Sequence, residues 1–154
     1  MSLRAGLRAL LTDCLTLECI GETGLGGDAL EHLEEAQPDV LILDIDAHDR
    51  RTNVVLKWLT SKSPTTRVIA LSSASDKRFV LRRLLRRGVH GYISHAEATA
   101  ELIRAIEAVA QGDVYLCPSA SGVLLSEYRK QAQRRTQDGL AACQPKSQRV
   151  HPKG

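Results

Sequence analysis

The run 38-PDVLILDID-46 limits what this chain can fold into more than any other feature. Val40-Leu41-Ile42-Leu43 is continuously aliphatic, with no polar alternation. That is the pattern of a strand covered on both faces, and such strands belong to parallel sheets with helices packed on either side. The run then ends in two carboxylates, Asp44 and Asp46, one residue apart. An acid there either closes a turn or stands at the mouth of a sheet, and the rest of the chain decides between the two.

Leu3, Leu7, Leu10 and Leu11 recur at helical spacing and predict an amphipathic helix at the start. Leu17–Ile20 reads as a short strand. The turn GLGGDA comes next, with Asp28 at a helix cap, and Ala29, Leu30, Leu33 and Ala36 form a helical face that Pro38 closes. Beyond the polar loop 46-DAHDRRTN-53 the pattern predicts a helix near 54–59, a second buried strand over 68–71 and a helix over 77–87 stopped by Gly88. A short strand is expected over 91–94, then a long helix capped by Thr99 and striped by Leu102, Ile106 and Val109. One more helix is predicted over 120–133, and 136–154 reads as a disordered tail. Strands alternating with helices imply a parallel sheet sandwiched by helices, whose ligands bind outside the carboxyl ends of the strands. Asp44 occupies that position.

Composition narrows the function further. At 154 residues the chain is long enough for one domain with a real core. Its only aromatics are Trp58, Phe79, Tyr92, Tyr115 and Tyr128, so an aliphatic core is expected, and the low count argues against a stacking platform for single-stranded nucleic acid. Cys14, Cys19, Cys117 and Cys143 form no Cys-x-x-Cys pair, which fits reduced thiols in a cytoplasmic protein. Asp13 and Glu18 interrupt the apolar opening, which argues against a secretory signal, and no run is long enough to span a membrane. Charge is segregated: residues 1–49 hold two basic side chains, Arg4 and Arg8, against eleven acidic ones. The run 77-KRFVLRRLLRRG-88 is strongly basic and reads either as a solvated helix face or as a surface for an acidic partner.

The segments 38-PDVLILD-44, 67-RVIALSS-73 and 91-GYIS-94, followed by a long helix, together resemble a response-regulator receiver domain, the CheY-like fold, and most nearly the NarL/LuxR type. The likeness covers residues 3–118. It implies a flavodoxin-like α/β parallel sheet whose first strand is missing or replaced, because the chain opens in what corresponds to the family's first helix. It also implies that Asp44 accepts a phosphoryl group from a histidine kinase, that Ser72 is the switch hydroxyl and that Tyr92 is the aromatic switch. His95 stands at the usual lysine position. Mg²⁺ is the implied cofactor, with Asp44 and the backbone carbonyl of Asp46 as ligands; the acidic pair that completes the family's site is absent. The run 119–135 resembles the linker helix of this subfamily, and the remainder of the chain lacks helical periodicity, so direct DNA binding is not supported. Homodimerisation through the last two receiver helices is the further implied contact, with transcription regulation as the ancestral role.

Blander readings stand beside these. Asp44 can be a turn acid, Ser72 an ordinary strand-ending serine, Tyr92 a packing residue, and His90 and His95 solvated surface histidines. A degenerate receiver acting as a phosphorylation-independent interaction module is the alternative function. An enzyme is not expected, since no nucleophile–base pair and no glycine-rich phosphate loop follows a strand.

Overall fold

The structure, a computed structural model, describes residues 3–24, 26–45, 50–62, 65–73, 82 and 86–143, with backbone alone for Leu3 and for 136–143. Helix α1 spans Leu3–Thr12 and α2 spans Ala29–Ala36; strand β1 spans Val40–Ile45, followed by α3, Arg50–Lys62, and β2, Arg67–Ser72. Strand β3, Gly91–Ser94, runs through a 3-10 turn, His95–Glu97, into α4, Ala98–Ala110. The two-residue strand β4, Tyr115–Leu116, and helix α5, Pro118–Cys143, complete the order.

The four strands form one parallel sheet in the order β1-β2-β3-β4, the flavodoxin-like arrangement expected, with no strand before β1 among the described residues. Register between β1 and β2 is set at their entry. The amide of Arg67 donates to the carbonyl of Asp39 at 2.9 Å, and Thr66 Oγ1 donates to the carbonyl of Pro38 at 2.8 Å. From there Leu41 pairs Val68 and Asp44 pairs Leu71. The core is aliphatic, as the composition requires: Ile69, Ala70, Ile93, Leu102, Ala105 and Val109 are wholly buried. Helix α4 packs on β2 and β3, and its buried stripe of Leu102, Ile106 and Val109 is the one read from the sequence.

Glycines mark two tight places. Gly88 has φ +80°, the left-handed conformation expected of a residue stopping a helix, and residues 82 and 86 before it are helical. At Gly91 a Cβ would lie 3.1 Å from Ile69 Cγ1 and 3.3 Å from Val109 Cγ2, so only glycine lets β3 slide this close under α4. The other residues of the basic run, 77–81 and 83–85, lie outside the described residues.

Several expectations change. Leu17–Ile20 is not a strand: it has no ladder partner, the Leu17 amide donates instead to the carbonyl of Cys14 at 3.5 Å, and Ile20 is 54% exposed. Asp28 occupies the cap position of α2 but makes no capping hydrogen bond. The long helix begins at Ala98, so Thr99 lies inside it and the 3-10 turn supplies the entry. Helix α3 extends well beyond 54–59 and α5 well beyond 120–133, because their outer faces are polar and carry no apolar period. Among the described residues beyond 118 there is a single helix and no helix-turn-helix unit, and no helix is long and apolar enough to cross a membrane.

Candidate functional site

The carboxyl ends of β1, β2 and β3 form one rim. Register puts Ile45 opposite Ser72 and Ser72 opposite Ser94, so Asp44, Ser72 and His95 come from three adjacent strand ends. Asp44 projects into solvent, its side chain 63% exposed. His95 Nε2 lies 2.7 Å from Asp44 Oδ1, and because a carboxylate only accepts, the ring nitrogen is the donor. Asp44 lies on β1 and His95 directly follows β3, two strands separated by β2 and about 9–10 Å apart at normal strand spacing. Their side chains therefore reach across the end of β2 and strap it down. Ser72 ends that strand and is 1% exposed.

Tyr92, on β3, is also 1% exposed. Burial pushes its phenol up, and the nearby Ser72 hydroxyl partly opposes that. The Tyr92 hydroxyl nevertheless makes no hydrogen bond of normal geometry among the described residues. An unpaired buried hydroxyl is a cost, so Tyr92→Phe is expected to leave stability unchanged or raise it by up to about 1 kcal/mol, read as the urea midpoint at constant slope. A clear loss of stability would mean that the hydroxyl has a partner in solution.

The sequence pattern alone passes over Glu97. Ser94 Oγ donates to Glu97 Oε1 at 2.8 Å, the Ser119 hydroxyl donates to the same oxygen, and the Ser119 amide donates to Oε2 at 3.4 Å. Led by the Ser119 hydroxyl, these donors hold the carboxyl down at about 2. Glu97 thus joins the exit of β3 to the first turn of α5. The S-x-x-E spacing of 94-SHAE-97, a helix-start signature, is the signal that points to it.

The two histidines part company. His90 sits at the entry of β3, where its Nδ1 accepts the amide of Val68 at 3.0 Å and replaces a ladder bond. It is a structural residue rather than a solvated one, and burial, with Arg67 nearby, lowers its pKa. Arg82 is ion-paired at 3.0 Å with Glu127 of α5, so one charge of the basic run serves an internal contact. Cys14, Cys19 and Cys117 are free thiols.

The donors among the described residues do not by themselves make a site for the Mg²⁺ that the resemblance implies. Among the described residues no group of three or more His, Cys, Asp or Glu side chains converges on a metal-sized space. Among the described residues at the rim, Asp44 offers an exposed carboxylate, and His95 takes one of its oxygens. Asp46 lies outside the described residues. Magnesium demands near-octahedral oxygen ligation, and one half-engaged carboxylate falls short of it.

Comparison with known proteins bears on the family and the fold. The family model "Response regulator receiver domain" matches residues 1–107. Among curated proteins, the transcriptional regulatory protein DegU of Brevibacillus brevis is 29% identical over 127 residues, covering 82% of this chain and 53% of DegU. The oxygen regulatory protein NreC of Staphylococcus epidermidis (strain ATCC 12228 / FDA PCI 1200) is 28% identical over 131 residues, 84% of this chain and 60% of NreC. The chain thus spans a little over half the length of these relatives. Among solved structures, the isolated receiver domain of RcsB from Salmonella enterica serovar Typhimurium superposes with TM-score 0.66 at 21% identity, covering 78% of this chain and 88% of that one. A LuxR-family two-component response regulator from Aurantimonas sp. SI85-9A1 gives TM-score 0.69 at 22% identity, over 82% and 89%. With the model matching well over half of its length, the chain belongs to the response regulator receiver domain family.

Proposed function

We propose that this receiver domain accepts a phosphoryl group on Asp44 from a histidine kinase in the cytoplasm. One observation carries the reading: Asp44 presents an exposed carboxylate at the sheet's carboxyl rim, strapped across the end of Ser72's strand by His95. In the transfer, an Asp44 oxygen attacks phosphorus and the P–N bond of the kinase phosphohistidine breaks. Its electron pair returns to the imidazole, and an acyl phosphate remains on Asp44. A phosphoryl group on Asp44 places new acceptor oxygens where the His95 ring now donates, so the strap over β2 is redrawn. Ser72 and Tyr92, both buried, then bias a pre-existing equilibrium. The output surface is the one formed by the helix carrying Arg82 and by α4, where a second copy docks. The receiver unit ends near residue 118, and α5 links it to whatever it regulates, transcription being the role suggested by the relatives' names.

A second reading has its own support. The poor metal donor set and the engaged Asp44 oxygen favour a degenerate receiver that binds its partner without phosphorylation. Incubation with acetyl phosphate and Mg²⁺, followed by intact mass, separates the two. Phosphoryl transfer is expected to add the mass of one phosphoryl group, lost at alkaline pH and absent in Asp44→Asn. No adduct, or one that survives in Asp44→Asn, supports the phosphorylation-independent module.

A further inference from the structure

We propose that His90 is a proton-operated latch at the amino-terminal rim of the sheet, the end opposite Asp44. With Nδ1 bare it holds the entries of β2 and β3 together, and in mild acid it releases them. One residue satisfies both backbone groups of Val68. The His90 amide donates to the Val68 carbonyl at 2.9 Å, and the Val68 amide donates to His90 Nδ1 at 3.0 Å. The His90 carbonyl accepts the Tyr115 amide at 3.1 Å, so the entry of β4 hangs on the same residue. The ladder of β2 with β3 begins only at the next pair, Ile69 with Gly91. Val68 is buried, so little water reaches its amide if the ring leaves.

A ring nitrogen that accepts a hydrogen bond carries no proton, which puts the ring hydrogen on Nε2. A proton added at Nδ1 turns the acceptor into a donor facing another donor. The ring must then swing away, and the Val68 amide keeps no partner. The charged side chains at this rim are Asp39 before β1, Arg67 opening β2, Arg86 and Arg87 before Gly88, Glu107 in the last turn of α4 and Asp113 before β4. Tyr115, the other titratable group there, gives its hydroxyl to Glu101. Among these charges Arg67 is the one that acts on the ring, and with burial it holds His90 below its ordinary 6.5. The latch therefore contributes fully above about 6.5, where the ring is neutral in folded and unfolded chains alike, and its contribution is lost as the pH falls from there. β2 ends in Ser72, and β3 carries Tyr92 and leads to His95, so a loosened entry acts on the strands that build the opposite rim.

Nuclear magnetic resonance on the full chain, titrated from about pH 7.5 to about 5, tests the latch. Ring nitrogen shifts of His90 are expected to show a bare, hydrogen-bonded Nδ1 at the start and a second proton taken up only in the acid half. Over the same range the exchange protection of the Val68 amide is expected to fall at least about tenfold relative to that of Leu71, further along β2. His90→Asn sets an amide oxygen where Nδ1 lies and does not titrate, so Val68 is expected to stay protected throughout. His90→Ala removes the acceptor at every pH and is expected to leave Val68 poorly protected from the start. A His90 ring that takes its second proton while Val68 stays protected overturns the proposal. So does a parallel fall at Val68 and Leu71, or the same fall at Val68 in His90→Asn. The first two outcomes are read on the unaltered protein and stand even where a variant does not fold. None depends on whether Asp44 is phosphorylated.

Discussion

Leu102→Ala is expected to destabilise the domain by about 3–4 kcal/mol, a large part of what a single domain of this size has in hand. Leu102 has no exposed surface, and it lies on α4 where that helix covers β2 and β3. Truncation removes the transfer energy of the side chain and leaves a cavity. The site cannot easily collapse: below it β3 is pressed against α4 at Gly91, with Ile69 and Val109 already in contact range. Four strands and a mostly aliphatic core also leave few large side chains to flow inward. The measurement is the urea midpoint at constant slope, with Arg104→Ala, on the outer face of the same helix and 74% exposed, as the control expected within about 0.5 kcal/mol. A loss below about 1.5 kcal/mol would mean that α4 repacks and is not the fixed lid of the sheet.

How much of the fold is legible in the sequence depends on how local each signal is. β1 and β2 announce themselves because both are continuous aliphatic runs, although only β2 is buried along nearly its whole length; in β1 Leu43 and Ile45 are buried and Val40–Ile42 half-buried. Asp44 and Ser72 fall at one rim because both end such runs. Leu17–Ile20, whose aliphatic ends enclose Glu18 and Cys19, forms no strand, since ladder bonds need a neighbour and composition does not say whether one is present. β4 is two residues long, too short for any periodicity. The positions of Asp44 and His95 can be read, yet their contact cannot: it spans 51 residues and bridges the end of an intervening strand. Glu97 escapes for a related reason, because two of these three donors come from Ser119 in another element.

Glu97 is where the rim and the last helix meet, and its titration gives the second large effect. Its folded carboxyl sits at about 2, well below its ordinary 4.5, held there by Ser119 and Ser94. A depressed carboxylate contributes stability that is fully present above about 4.5 and is lost as the pH falls from there toward 2. Glu97→Gln keeps the shape but loses the charge, so at pH 7 it is expected to cost about 1 kcal/mol, a figure held down by solvent screening of a half-exposed group. The gap between the two proteins should narrow steadily as the pH is lowered from 5 to 2, while Glu22, the other carboxyl held at about 2, titrates alike in both. Urea midpoints across that range provide the test, and amide exchange at the first turn of α5 localises the loss. If the gap stays constant with pH, the carboxylate is not what ties α5 to the exit of β3. If exchange quickens in α4 instead, the contact serves the 3-10 turn rather than the last helix. Should the gap close as expected, one acid joins the strand that carries His95 to the helix that leaves the domain, so that a change at Asp44 has a charged hinge through which to reach α5.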